Sequence, residues 1–362
     1  MRAGAQAPAL FVLDDDGRTL LSLHARDLSE QGRQTLPQRL TAFPAPGLAG
    51  GDDGGLLALR PDGRARAWRK VGDGPCRAAT SADGRWHLVL PAERTGRAEL
   101  LLLDTALVTV KSWALPGPVA WLLDAPRRRA FVLALTAPAQ VWVISYDERA
   151  EDFYEGLVHD FRMGEGVAQR GFHNPRRMNL PEPLLAATAD AEDTEFAGRG
   201  LVFNLDVRRV VQRSPRLQPG AAGSAAVFAR DGAGWMAVPV AGVAAVDCWR
   251  TGDWTLQARI PTDVPPAAVL AHRGVQALVP LPRAQAERAE LVPIDTRTLQ
   301  PLSRLALPGP VREAAFGADG RELYVRVGGA AAGVACIDTA GWTLRVHRLL
   351  AQPLAQQPAP AR

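Results

Sequence analysis

Cysteine is scarce in this chain, with Cys76, Cys248 and Cys336 as the three examples among 362 residues. They lie far apart and form no Cys-x-x-Cys pair, so neither a zinc site nor a disulfide framework is indicated. The motif Cys-x-x-Cys-His is also absent, which excludes the usual thioether attachment of a c-type haem. We therefore expect the cysteines to be buried as small apolar side chains.

Long apolar runs are lacking too. No stretch approaches the roughly 20 residues that a membrane-spanning helix needs, so no membrane span is predicted. The first eleven residues contain neither an apolar segment of signal-peptide length nor a cleavage site. As written, the chain is expected to be cytoplasmic, or periplasmic if its start is misassigned. The last segment, 351–362 (AQPLAQQPAPAR), has too little apolar content to pack and is expected to be disordered.

Charge of one sign is not in large excess either, since 42 basic and 38 acidic residues give a net charge of +4. The arginine clusters at 127–129, 176–177 and 208–209 are typical of solvated turns rather than of a nucleic-acid stripe. Aromatic residues interleaved with a basic groove are not evident. Phosphate-cradling glycine loops and the His-Glu-x-x-His motif are absent as well. No nucleic-acid partner is predicted.

What the sequence does contain is a repeat. An aspartate that closes an apolar strand and opens a turn recurs at intervals of about 40 to 50 residues, the length of a four-stranded propeller blade. The copies are Asp14, Asp104, Asp147, Asp206, Asp247, Asp295 and Asp338, and a degenerate copy near Leu59-Arg60 fills the long gap after the first. The repeat predicts an all-β, eight-bladed propeller that spans residues 1–350 as one domain.

Turn and strand signals agree with this prediction. Pro61-Asp-Gly-Arg64 and two copies of Ala-Asp-Gly-Arg, at 82–85 and 318–321, suit tight hairpins because Gly adopts positive φ without steric cost. The segments that follow, such as 85–90 and 322–327, are short, apolar and partly alternating, which is typical of strands and too short for helices.

One segment, at about 148–198, interrupts the rhythm. It is dense in His, Arg, Asp, Glu and Gly between residues 154 and 178, and a long loop inside a compact repeat fold is usually functional or disordered. Its candidate ligand residues are His159, Arg162, His173, Arg176 and Arg177. Arginines could pair with ligand carboxylates or phosphates, and histidines could bind a metal or move protons. The alternative is that these side chains only hold the loop on the ring.

The same segment carries a resemblance to a known family. The run 156–165 (GLVHDFRMGE), then Gly171-Phe, Asn174-Pro-Arg-Arg177 and the strand 202–209 (VFNLDVRR) resemble the cytochrome d1-type propellers. That family includes the d1-haem domain of cytochrome cd1 nitrite reductase and the haem d1 accessory proteins NirF and NirN. The likeness covers residues 82–349, and the eight repeats agree with the eight-bladed ring that the family implies.

The resemblance implies a haem in the central funnel with His ligands from early and later blades, and this chain departs from that pattern. Gln218, in Leu217-Gln-Pro-Gly220, occupies a position where the family tends to carry His. The early-blade region 38–63 contains no His at all. His272, in Leu270-Ala-His-Arg-Gly274, resembles a later-blade His turn and is the predicted metal ligand. Because axial ligands set both the potential and the retention of an iron, a self-sufficient nitrite reductase is not predicted.

The resemblance therefore predicts a propeller that binds haem d1 or a late precursor. Its role would be in the biogenesis or transfer of that cofactor for dissimilatory nitrite reduction, with protein partners from the same pathway. The predicted contacts are His272, Gln218, His159, Arg162, His173, Arg176 and Arg177. A different class stays open, in which a degenerate ring without cofactor serves as a protein-interaction platform through the 148–198 segment. An oxidoreductase acting on the tetrapyrrole is a third possibility, for which the sequence nominates no residue.

Overall fold

The computed structural model of the chain describes residues 9–14, 16–60, 62–92, 98–155, 167–283 and 287–350. These residues form 34 strands and two single-turn 3-10 helices, Pro126–Arg128 and Gly329–Ala331. The strands build eight blades in a ring, which confirms the all-β, eight-bladed propeller that the repeat predicts. None of the described helices is long and apolar enough to cross a membrane.

The first four blades follow one another along the chain. Blade 1 has three described strands, β1 (Ala9–Leu13), β2 (Thr19–His24) and β3 (Glu30–Thr35). Blade 2 consists of β4 (Ala42–Ala45), β5 (Leu48–Gly50), β6 (Gly55–Leu59) and β7 (Ala65–Lys70). Blade 3 consists of β8 (Arg77–Thr80), β9 (Trp86–Leu90), β10 (Glu99–Asp104) and β11 (Thr109–Ala114). Blade 4 consists of β12 (Val119–Ala125), β13 (Ala130–Leu135), β14 (Gln140–Ser145) and, after an inserted hairpin of β15 (Phe153–Glu155) and β16 (Val167–Gln169), β17 (Pro175–Asn179).

The second half repeats the same order. Blade 5 consists of β18 (Thr188–Ala189), β19 (Glu195–Ala197), β20 (Leu201–Asn204) and β21 (Arg209–Arg213). Blade 6 consists of β22 (Ala226–Arg230), β23 (Ala233–Pro239), β24 (Ala245–Arg250) and β25 (Thr255–Pro261). Blade 7 consists of β26 (Pro266–Ala271), β27 (Ala277–Pro282), a third strand split into β28 (Glu290–Leu291) and β29 (Ile294–Asp295), and β30 (Leu305–Ala306). Blade 8 consists of β31 (Val311–Phe316), β32 (Glu322–Val327), β33 (Gly333–Asp338) and β34 (Thr343–Leu349).

The core lies between the blades. Each pair of neighbouring blades shares one cluster of buried apolar side chains, which gives eight clusters around the ring. Such apolar faces pack because each sheet buries its surface against the next. The ring closes between blades 8 and 1, where Tyr324 donates to the carbonyl of Ala25 (3.0 Å) and Arg348 pairs with Glu30 (2.9 Å).

Antiparallel pairing gives the ring two different faces. On the face that we name the turn face, first strands turn into second strands and third strands into fourth; the opposite, connection face carries the remaining loops. Arginines link adjacent blades on the turn face, as in Arg85 with Glu148 (3.1 Å) and Arg128 with Asp206 (2.7 Å). On the connection face, loops are joined through backbone bonds such as Gly200 N–H to the carbonyl of Leu217 (2.8 Å).

The repeated aspartates behave differently from one another. Asp104 and Asp295 form turns as predicted, because the carboxylate of each accepts two backbone N–H groups of the turn that follows. Asp247 is a correction, since it lies inside β24 with its side chain 2% exposed and forms a two-pronged ion pair with Arg259 (2.7 and 2.8 Å). The turn of that blade is formed by Asp253, which caps the backbone N–H of Thr255 (3.2 Å).

The segment 148–198 is divided between two structures. Its first part contains the β15–β16 hairpin, whose tip, 156–166, lies outside the described residues. Its second part supplies the outermost strand of blade 4 and the first two strands of blade 5. The domain limits stay predictions. The segment 351–362 also lies outside the described residues, so its expected disorder stays a prediction as well.

Candidate functional site

The predicted site residues do not meet at one place. His159 and Arg162 lie outside the described residues. The other five residues occupy three separate regions of the ring, which are the outer side of blade 4, the connection face before blade 6, and the turn face of blade 7.

His173 is buried at the base of the inserted hairpin, with 3% of its surface exposed. Its ring stacks on Phe172 (3.6 Å between centroids) and meets Trp86 of blade 3 edge-on (4.4 Å). Burial, with the nearby Lys111 and Arg85 cations, lowers the pKa of His173 to about 4. A neutral imidazole enclosed by aromatic rings anchors the end of the insert between blades 3 and 4.

Arg176 and Arg177 lie on β17, the outermost strand of blade 4. The guanidinium of Arg176 lies over Phe153 (4.9 Å to the ring centroid), and that of Arg177 over Trp142 (4.7 Å). These cation–π contacts hold both side chains at the outer wall of the ring. They are therefore placed away from the central axis, which the first strands of the blades surround.

Gln218 lies in the connection between blades 5 and 6, on the connection face. Its side chain is exposed, and its amide donates to the carbonyl of Pro215 (2.8 Å). His272 lies in the turn between β26 and β27, on the turn face. The structure thus places Gln218 and His272 on opposite faces of the ring and does not bring them together.

His272 is half-buried between the inner turns of blades 7 and 8. The backbone N–H of Gly274 donates to its Nδ1 (3.1 Å), so the proton is on Nε2, which faces the carbonyl of Ala318 (3.3 Å). Gly320, at φ +75°, leaves the room that the ring occupies, since a side chain there would collide with Nδ1. Neither nitrogen is free in this arrangement, and a metal bond would require Nε2 to leave Ala318.

A cavity of about 1270 Å³ opens on the turn face beside this histidine. It extends from the inner turn of blade 7, across the first hairpin of blade 8, to the turn between β2 and β3 of blade 1. The volume exceeds the roughly 300–1,000 Å³ of common small-molecule pockets. Besides His24, its lining carries three arginines, three carboxylates and two aromatic rings, namely Arg26, Arg321, Arg345, Asp319, Glu322, Asp338, Phe316 and Tyr324.

Charges in this turn-face cavity are mixed. Arg345 pairs with Glu322 (3.3 Å), and His24 Nδ1 contacts the carboxylate of Asp27 (3.0 Å). Arg26 is exposed and has no ion pair among the described residues. Side-chain and backbone hydrogen bonds from Ser29 lower the pKa of Asp27 to about 2. One free guanidinium beside two aromatic rings, Phe316 and Tyr324, suits a flat ligand that carries carboxylates.

The described part of the chain contains no metal site, since no group of three or more His, Cys, Asp or Glu side chains is placed to hold an ion there. The cavity therefore has room for a carboxylated macrocycle and one unpaired guanidinium, Arg26, to meet it, but its residues do not form a set of axial ligands. The sequence did not single out Arg26, Phe316 or Tyr324. Nothing in the repeat marks these residues, because they come together only when the last blade meets the first.

Comparison with known proteins adds three similar structures. The dihydro-heme d1 dehydrogenase NirN in complex with DHE matches at 21% sequence identity with a TM-score of 0.78, over 97% of this chain and 75% of that chain. BamB from Moraxella catarrhalis matches at 13% identity with a TM-score of 0.58, over 89% and 92% of the two chains. A functionally unknown protein from Desulfotomaculum acetoxidans matches at 10% identity with a TM-score of 0.51, over 93% and 94%. The comparisons establish the fold.

The likeness to NirN agrees with the resemblance that the sequence shows to the d1-type propellers. The likeness in fold covers 97% of the chain, whereas the sequence resemblance covers residues 82–349. No protein-family model matches the chain, and no curated protein does.

Proposed function

We propose that this chain binds haem d1 or a late precursor in the turn-face cavity and acts in the biogenesis or transfer of that cofactor. The observation that supports the proposal most is the structural likeness to NirN over 97% of this chain. That NirN structure is a complex with DHE. The motif resemblance in the inserted segment is a second, independent support. The cellular location, cytoplasmic or periplasmic, stays a prediction.

In this proposal the cavity residues bind and orient the ligand. Arg26 would pair with a ligand carboxylate, because its guanidinium is exposed and has no described ion-pair partner. Phe316 and Tyr324 would contact the macrocycle through their rings. His272 does not line the cavity but packs beside it, against Gly320 and Phe316, and is kept as a neighbouring residue. Gln218, His173, Arg176 and Arg177 lie elsewhere and are not included. When bound, the tetrapyrrole would supply the redox and ligand chemistry, and the protein would hold and shield it.

The test is an absorbance titration of the purified protein with haem d1. We expect a shifted Soret band and saturable binding, and about tenfold weaker binding in Arg26→Gln, since one charge-assisted hydrogen bond contributes roughly 1.5 kcal/mol or more. Arg209→Gln is the matched control, because Arg209 is exposed on the outermost strand of blade 5. Absence of a spectral change at micromolar ligand, or equal affinity in both variants, would refute the proposed site.

A second function, a cofactor-free interaction platform, is favoured by one specific observation. Both nitrogens of His272 are engaged within the protein, and the described residues offer no metal site. Co-purification from a denitrifying host, with and without the inserted hairpin, separates the two functions. A platform would lose its protein partner when the hairpin is deleted and would bring no pigment with it, whereas a haem carrier would be coloured in both forms.

A further inference from the structure

Exposed apolar side chains are concentrated on one side of the ring. Of the eight large hydrophobic side chains that are exposed in the described part of the chain, five belong to blades 3, 4 and 5. They are Val108 and Val110 of blade 3, Tyr154 of the inserted hairpin, and Val207 and Val211 of blade 5. Tyr154 is the most exposed, at 68%, and its hairpin belongs to blade 4, which stands between the blades of the two valine pairs. Single exposed apolar residues are ordinary, but a grouped set marks an interaction surface.

Four cations lie among these apolar side chains, namely Lys111, Arg170, Arg176 and Arg208. Contacts join two of them, since Lys111 donates to Asn174 (2.7 Å), which in turn donates to the carbonyl of Arg170 (2.9 Å). Arg176 lies over Phe153, the neighbour of Tyr154 in β15. We name these four cations and the five apolar residues above the rim surface.

None of the four cations forms an ion pair among the described residues, although Glu151 lies near Arg176, and the cations influence one another in two pairs. Burial lowers the pKa of Lys111, and the nearby Arg170 lowers it further. Burial and then Arg208 do the same to Arg176. Like charges that act on one another without an ion-pair partner cost free energy. An anionic partner that pairs with them would remove that cost.

We propose that the rim surface is a docking site for an acidic protein partner. Basic groups and apolar anchors in one patch fit a protein surface that presents carboxylates around apolar side chains. A membrane or a nucleic acid fits less well, because carboxylates lie among the cations. Glu151 is near Arg176, and Asp206 directly precedes Val207. Such a mixed pattern of charge matches a defined pattern on a protein rather than a uniformly anionic surface.

This inference deepens the platform function and rests on it for its biological role, but it does not require the tetrapyrrole. The rim surface is on the outer side of blades 3 to 5, whereas the turn-face cavity lies between blades 7, 8 and 1. A partner could therefore dock while the cavity is filled or empty.

The test uses the full chain and a fluorescein-labelled peptide in which Glu alternates with Leu. We expect saturable binding by fluorescence anisotropy that weakens as salt is added, because exposed charge pairs are screened. The double variant R170Q/R208Q should bind about tenfold more weakly, since two partly exposed ion pairs together contribute roughly 1 to 2 kcal/mol. Arg297→Gln is the control, because Arg297 is likewise exposed, in the corresponding turn of blade 7.

Three outcomes would overturn the proposal. They are equal affinity of the wild type and the double variant, equal binding of a Lys–Leu peptide, and binding to phosphatidylglycerol vesicles without binding to the acidic peptide. The same double variant is also titrated with haem d1. Unchanged haem binding together with lost peptide binding would assign the failure to the rim surface alone, and a normal circular dichroism melting curve would exclude misfolding.

Discussion

Two buried histidines should make the stability of this propeller strongly dependent on pH. His87 and His173 are 4% and 3% exposed, and burial lowers the pKa of each to about 4. In the unfolded chain both would titrate near 6.5. The folded state therefore resists protonation, so the stability that the neutral imidazoles allow is present above about pH 6.5 and is lost as the pH falls towards 4.

The expected loss is about 2 to 3 kcal/mol for each histidine, at about 1.4 kcal/mol for each unit of pKa shift. Two carboxyl groups among the described residues act in the opposite direction, because burial raises the pKa of Asp124 and of Asp193. Burial raises the pKa of Asp124 to about 6, so the folded protein takes up a proton there more readily, and stability rises by roughly 2 kcal/mol as the pH falls through that range. In the wild type the opposite effects of the histidines and the carboxyl groups on the free energy of unfolding therefore partly cancel. A comparison with variants that lack the histidines isolates their contribution.

The assay is urea unfolding of the wild type and of the double variant His87→Gln/His173→Gln at about pH 7.5 and about pH 4.5. We expect the double variant to lose about 4 to 6 kcal/mol less between the two pH values, because Asp124 and Asp193 are common to both proteins. Leu88→Ala is the control, since it destabilises the core without removing a titratable group. Parallel pH profiles of the wild type and the double variant would refute the reasoning.

Two further predictions concern the fold. Tyr324→Phe removes the donor to the carbonyl of Ala25 at the closure between blades 8 and 1, so the free energy of unfolding should fall by about 1 to 3 kcal/mol; a change within error would show that this bond does not support closure. Asp247→Asn should also cost about 1 to 3 kcal/mol, because it breaks the paired contact with Arg259. A double-mutant cycle with Arg259→Gln should give a clear coupling energy, and a coupling near zero would contradict an ion pair between β24 and β25.

The fold was predictable because each blade repeats the same local chemistry. Turns headed by Asp104 and Asp295 satisfy their own backbone N–H groups, which is a local effect that a sequence shows directly. Asp247 is the exception, although it too directly follows an apolar residue, Val246. Its strand continues because Cys248 and Trp249 extend the apolar run, and the turn forms later, at Gly252 and Asp253. Reading one residue type alone cannot separate a turn aspartate from a paired one.

The site was less predictable because its parts come from distant positions in the chain. The turn-face cavity unites the turn at His24 and Arg26 with the hairpin at Ala318–Arg321, and that contact depends on how the ring closes. The inserted segment attracted attention through its composition. In the structure His173 anchors the insert, and Arg176 and Arg177 stack on aromatic rings of the outer wall. Composition showed where the repeat is interrupted, but it could not distinguish anchoring from ligand binding.

The most direct test of the tetrapyrrole proposal is a crystal structure of the full chain grown with haem d1. We expect electron density for the macrocycle in the turn-face cavity, with a carboxylate near Arg26 and the ring beside Phe316 and Tyr324. Density at the connection face near Gln218, or a turn-face cavity that stays empty at saturating ligand, would contradict the account.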